Sequence, residues 1–186
     1  MNKALILSLF MSISNIAIAD FLKLSNEGEV LDSENSNWSC VLDQKTSLVW
    51  EVKGEKEGLQ YTMNTYTWFD GDTGRKNNMY SNNCYWGEGC NTQFYIDDIN
   101  EAQLCTYSNW RLPTRDELKT IINYYSDHDI LIDLAFFPNT RMGTYWTSMT
   151  AKDNPSLAYE IPFFFGGSIV REKYIDTYIR LVRSAD

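Results

Sequence analysis

The chain has 186 residues, with 16 Lys and Arg against 25 Asp and Glu, a formal net charge of -9 and a single histidine. A surface of that sign repels phosphate backbones, so nucleic acid is excluded as a natural partner. Aromatic residues make up 15% of the chain, so the core and much of the surface should be built from Trp, Tyr and Phe rather than from aliphatic runs.

Residues 1–19 read as a signal peptide. Lys3 supplies the positive end, Ala4 to Ile16 the apolar stretch, and Ala17-Ile18-Ala19 a small-x-small cleavage site. Ser8, Ser12, Ser14 and Asn15 interrupt the apolar run, which argues against a membrane anchor. The mature chain is expected to begin at Asp20, to be exported to the periplasm, cell surface or medium, and not to insert in a membrane. Residues 20–37 are polar and acidic and read as an N-terminal arm over the domain that follows, 38–186. Trp38 to Leu42 and Ser47 to Val52 read as two short strands around a turn at Asp43-Gln44-Lys45-Thr46. Leu48 and Trp50 alternate with Val49 and Glu51, so one face of the second strand should enter the core.

Gly54 to Asn91 has no lasting period. Tyr61, Tyr66, Trp68, Phe69, Tyr80, Tyr85 and Trp86 are scattered there among Gly, Asn, Asp and Ser, and a long irregular segment of this kind is functional or mobile. An aromatic face stacks on the C–H groups of a sugar ring while Asn and Asp bond its hydroxyls. Trp68, Asp70, Asp72, Tyr85 and Trp86 are therefore the candidate ligand-binding residues, with the alternative that Trp68 and Phe69 belong to the core. Asp70-Gly71-Asp72-Thr73-Gly74 also invites a calcium reading. The EF-hand template is not met, because Gly74, Arg75 and Ser81 fall at its fifth, sixth and twelfth positions. A solvated turn is the preferred reading, and no cofactor is expected.

Asn91 or Thr92 can cap a helix running to about Leu104, with Tyr95, Ile96, Ile99 and Ala102 on one side. Asn109 to Tyr125 is the stretch around which the chain is organised. Trp110 and Leu112 flank Arg111 as in a short strand, and Pro113 ends it. Thr114 and Glu117 form a capping box, and Leu118, Ile121, Ile122 and Tyr125 recur at helical spacing for about two turns. Asp127, His128, Asp129 and Asp133 read as a solvated loop. Tyr145-Trp146-Thr147-Ser148 and Leu157 to Phe165 read as strands, the second turning at Gly166-Gly167 into Ser168 to Arg171, with Pro162 marking an edge or bulge. Tyr178 to Arg183 reads as the last strand. Arg171, Lys173, Arg180 and Arg183 suggest a solubilising strand face, or alternatively an anion-binding patch.

Four cysteines, Cys40, Cys84, Cys90 and Cys105, behind a signal peptide suggest two disulfides, for which three pairings exist. The preferred pairing closes a small loop with Cys84–Cys90 and ties the N-terminal segment to the Trp-Arg motif with Cys40–Cys105. No C-x-x-C spacing is present and His128 is remote, so a metal site is not expected.

Taken together, Cys40-Val41-Leu42-Asp43, Thr46 to Glu51, Tyr66-Thr67-Trp68-Phe69, Cys84 with Cys90-Asn91-Thr92-Gln93, Asn109 to Thr114 with Glu117-Leu118, Phe137-Pro138-Asn139, Tyr145-Trp146-Thr147-Ser148 and Arg180 to Arg183 resemble the C-terminal domain of Lcl-type bacterial collagen-like adhesins. The resemblance runs from about Trp38 to Arg183. The R-L-P-T-x-x-E core is also similar to that of formylglycine-generating-enzyme-like and C-type-lectin-like domains. These likenesses imply an α+β fold with two helices, short antiparallel strands and long irregular loops. Trp110, Arg111, Pro113, Thr114, Glu117 and Trp146 would then be structural motif residues. In the adhesins the domain is associated with sulfated glycosaminoglycans, attachment and biofilm formation. This chain departs from them in lacking collagen-like Gly-X-Y repeats and in having Cys105-Thr106 where members commonly have Cys-Gly.

No Ser-His-Asp or paired-carboxylate arrangement can be argued from spacing, so no catalytic residue is expected. The expected function is an exported, non-catalytic recognition or adhesion domain whose partner is a glycan or a surface protein. The alternatives are an enzyme on the same fold and a protein-binding subunit of a pilus or secreted complex, in which self-association to a homo-oligomer is possible.

Overall fold

A computed structural model describes residues 20–76, 84 and 89–185. The expected signal peptide, Tyr80, Tyr85 and Trp86 lie outside the described residues. Within them the fold is α+β, with two helices and seven strands in two antiparallel sheets.

The first sheet has the order β1-β2-β3-β7, from Phe21–Leu24, Cys40–Asp43, Leu48–Glu51 and Val182–Ser184. The hairpin β2–β3 turns where Asp43 accepts from the backbone N–H of Lys45 (3.0 Å) and from the Thr46 hydroxyl (2.6 Å). Residues 20–37 are more than an arm, because Phe21–Leu24 pairs residue for residue with Asp43–Cys40 as the edge strand. The face of β3 expected in the core, Leu48 and Trp50, is buried, and so is the other: all four residues of the strand are buried. It lies between β2 and β7, and its two faces reach different parts of the core, Val49 in one cluster and Leu48 and Trp50 in the other.

The second sheet joins β4 (Thr144–Thr150), β5 (Leu157–Pro162) and β6 (Ile169–Glu172). Its β5–β6 turn uses a left-handed residue only at Gly166 (φ +74°), where a side chain would collide with the ring of Tyr124. The last strand is shorter than Tyr178 to Arg183 suggested, since Tyr178 makes only an isolated bridge to Tyr145.

Helix α1 spans Thr92–Glu101, and the Asn91 side chain caps it by accepting from Phe94 N–H at 2.9 Å. Helix α2 spans Arg115–Thr120 and has the expected capping box. It ends sooner than the apolar spacing suggested. Leu118, Ile121 and Ile122 are buried, but Tyr125 is 94% exposed, because Asn123 turns the chain by accepting from Tyr125 N–H at 3.0 Å.

Buried tryptophans knit the irregular segments to the sheets. Trp68 donates through Nε1 to the Thr147 carbonyl (2.8 Å), Trp146 to Tyr66 (2.8 Å) and Trp110 to Leu104 (3.0 Å). Each ring supplies apolar area to the core, and each N–H satisfies a buried carbonyl in another segment. Both disulfides take the preferred pairing, Cys40–Cys105 and Cys84–Cys90.

The C-terminal basic residues do not form a solvated face or an open anion patch. Arg180 and Arg183 are fully buried and Lys173 nearly so. Arg180 donates to the Glu51 carbonyl (2.6 Å) and the Thr140 hydroxyl (2.8 Å). Arg183 donates to Asn109 (2.7 Å) and lies over the ring of Tyr107. Arg171 pairs with buried Glu160 at 2.8 Å. Alternation along the strand could not reveal this, because both faces of the C-terminal segment are covered.

Candidate functional site

Four segments remote in sequence meet at one cleft. Phe69 is held at the start of α1 by a reciprocal pair of bonds: its N–H donates to the Thr92 hydroxyl (2.9 Å), and that hydroxyl donates to its carbonyl (2.6 Å). Arg111 exchanges backbone bonds with Val182 of β7, at 3.0 and 2.9 Å. Ser148 of β4 donates its N–H to the Pro113 carbonyl at 2.8 Å. The resulting cleft has a volume of about 360 Å³. Trp68, Phe69, Ile96 and Leu112 form its apolar lining, and Asp70, Gln93, Arg111, Thr114 and Ser148 its polar one.

Trp68 sits at the bottom of this cleft. At 1% exposure it is a core residue, so the half-buried Phe69 and Ile96 present the accessible apolar surface. The Lys173 ammonium lies 3.8 Å from the centroid of the Trp68 ring and donates to the hydroxyls of Thr150 (2.9 Å) and Thr73 (3.3 Å). Gly74, at φ +106°, packs on the same indole. A Cβ there would overlap the Trp68 carbonyl and touch the ring, so no larger residue fits without moving the tryptophan.

Asp70 is exposed at the mouth. Its carboxylate accepts from the N–H of Asp72 (3.1 Å) and Thr73 (2.6 Å) and from the Thr73 hydroxyl (3.1 Å), which closes the Asp-Gly-Asp-Thr-Gly turn on itself. Partial burial pushes the Asp70 carboxyl up, but the Thr73 and Asp72 bonds outweigh it and hold the group below the usual carboxylate range. Asp72 is exposed on this turn and does not line the cleft.

The opposite wall is electrostatically closed. Glu117 takes both terminal nitrogens of Arg111, at 2.8 and 2.7 Å, and also the N–H of Thr114 at 2.7 Å. The Arg111 bonds pull the Glu117 carboxyl down to about 2, so this planar two-point pair is charged at neutral pH. Gln93 donates to Asp97 at 2.8 Å, which leaves its carbonyl oxygen as an acceptor.

Of the expected site residues, Trp68 and Asp70 come together here with the motif residues Arg111 and Thr114, while Trp110, Pro113 and Trp146 are buried supports. Spacing along the chain did not point to Gln93, Ile96, Ser148 or Lys173. Gln93 and Ile96 share one side of α1 and could have been found from its helical period. Lys173 reads in the sequence only as one of the C-terminal basic residues, and nothing local ties it to this cleft, since it lies a hundred residues from its Thr73 partner. His128, Asp127 and Asp129 are exposed on the loop after α2, as expected. A larger groove of about 600 Å³ runs past Asp20, Phe21, Asp43, Lys45 and Tyr125. Its acidic groups are engaged locally: Asp43 in the β2–β3 turn, Asp20 with Lys45 at 2.6 Å, and Asp133 as acceptor from the Ala135 N–H at 2.9 Å. Among the described residues no group of three His, Cys, Asp or Glu is placed to hold a metal ion.

No curated protein and no solved structure matches the chain. A family model does, that of the Lcl C-terminal domain, over residues 39–183. That span holds both disulfides, both helices and every residue named in the cleft, and the chain accordingly belongs to the Lcl C-terminal domain family, an adhesin-associated family.

Proposed function

We propose that this is an exported recognition domain that binds carbohydrate at the cleft between the Asp70–Gly74 turn and the Trp110–Thr114 motif. The observation that carries the reading is the composition of that cleft. A shallow apolar floor at Phe69 and Ile96 is ringed by Asp70, Gln93, Thr114 and Ser148, as suits a ligand with one C–H face and many hydroxyls. Two disulfides and a rigid tryptophan frame suit an oxidising compartment outside the cytoplasm. Replacement of Phe69 by Ala should weaken glycan binding by about tenfold or more, roughly the effect of losing a half-buried aromatic contact. Calorimetric titration of the wild type and the variant with a glycan that binds the wild type reads this directly. Equal affinities would remove the cleft from the argument.

A second reading, a protein-binding subunit of a surface assembly, is favoured by a separate feature. Tyr124, Tyr125, Phe164 and Phe165 are all more than half exposed, and Tyr124 bonds the Gly166 carbonyl at the end of the same turn (3.0 Å). Clustered exposed aromatics mark contact surfaces. If this patch mediates self-association, light scattering will give a dimer or larger species that Phe165→Ser converts to monomer. A wild-type monomer at all concentrations would count against self-association.

A further inference from the structure

The chemical class of sugar can be argued from the charges of the cleft, on the assumption that the carbohydrate reading is correct. We propose that the cleft takes an uncharged saccharide and discriminates against sulfated or otherwise anionic ones. Arg111 and Lys173, the cations described in and against the cleft, are both already engaged. Arg111, the only cation among the described lining residues, is held at both terminal nitrogens by Glu117. Lys173 is 3% exposed, packs on the indole of Trp68, donates to two threonine hydroxyls and has Asp70 as its charged neighbour. The Asp70 carboxylate lines the cleft and is exposed at its mouth.

An anionic sugar entering this space would meet Asp70 and the Glu117 side of the ion pair without gaining a free cation among the described lining residues. It would lose hydration and receive repulsion, against a chain whose net charge is already -9. A neutral sugar meets complementary groups instead. Its hydroxyls can donate to Asp70, a strong charged acceptor, and to the Gln93 carbonyl oxygen, and can exchange bonds with Ser148 and Thr114. Its C–H face lies on Phe69 and Ile96. The volume of about 360 Å³ is at the small end for ligand sites, so the cleft holds a short stretch or the end of a chain rather than a long strand.

The test is calorimetric titration of the secreted chain with neutral tetrasaccharides of glucose, mannose, galactose and N-acetylglucosamine, and with a heparin-derived tetrasaccharide, at low and high salt. At least one neutral sugar should bind with an affinity unchanged within about twofold by salt, and the sulfated one about tenfold or more weaker. Asp70→Asn keeps the oxygen that closes the turn. It should weaken the neutral sugar by about threefold and strengthen the sulfated one by a similar factor. Preferential, salt-sensitive binding of the heparin fragment would overturn this inference and leave carbohydrate recognition standing. Binding of neither class would overturn both.

Discussion

Serine at both Cys40 and Cys105 is expected to lower the free energy of unfolding by about 4 kcal/mol, the value that the chain-entropy model assigns to a loop of this length. The two cysteines are 65 residues apart, and both are fully buried. Cys40 opens β2 at the register position facing Glu51, and Cys105 lies in a tight turn where Gln103, Cys105 and Thr106 all have positive φ. The bridge therefore ties the first sheet to a backbone segment that non-glycine residues adopt only under constraint. Serine hydroxyls in the same place would also need hydrogen-bond partners in an apolar core. The Cys84–Cys90 bridge, with a separation of 6, should contribute only about 2 kcal/mol on the same model. Urea unfolding of the two double-serine variants compares them. A Cys40/Cys105 variant within about 1 kcal/mol of the wild type would show that the frame stands without this bridge.

Glu51→Ala should destabilise the domain by about 3–5 kcal/mol, the range for removing one partner of a buried ion pair. Glu51 has no exposed surface and takes three donors: the Tyr95 hydroxyl, the Lys53 ammonium at 2.8 Å and the Leu181 N–H at 3.0 Å. Arg180 lies alongside and donates to the Glu51 main-chain carbonyl. Burial pulls Lys53 below the usual lysine range, with the Arg180 charge adding to it and the adjacent Glu51 carboxylate opposing it. Tyr95 is pushed well above the usual phenol range by burial, with the Glu51 charge adding to the effect. Alanine would leave Lys53 without its counter-ion and the Tyr95 hydroxyl and Leu181 N–H without their acceptor. Glu51→Gln retains an acceptor of similar shape and should cost less than Ala. Chemical denaturation gives the ordering. A loss under about 1 kcal/mol for Ala would mean that water or a neighbouring group takes over the role of the carboxylate.

The network around Glu51 also explains how α1, β3 and the C-terminal segment keep their relative positions. Tyr95 projects from α1, Lys53 follows β3, and Arg180 and Leu181 precede β7. Fixing these elements in turn fixes Arg111, which is bonded to Val182, and with it one wall of the cleft. On the proposed function, stability and recognition are coupled through main-chain bonds, and core variants such as Glu51→Ala should reduce affinity for a bound glycan as well as stability.

Some features were legible in the linear chain because their physics is local. The Thr114–Glu117 capping box joins groups three residues apart, and the Asn91 cap is equally short-range. The β2–β3 hairpin follows from two apolar runs around an Asp-containing turn. The even cysteine count suggested two disulfides and their preferred pairing, and the family motifs placed the tryptophan frame within one domain. Long-range convergence was not legible. Burial on both faces of β3 and around Arg180 depends on what covers those segments, and alternation along a strand carries no information about a second layer. The cleft is the clearest case. Local rules account for the turn at Asp70, the cap of α1 and the cap of α2 separately. That they face one another, with Lys173 against the indole, follows from tryptophan N–H groups, disulfides and a buried ion cluster that join residues tens to more than a hundred positions apart.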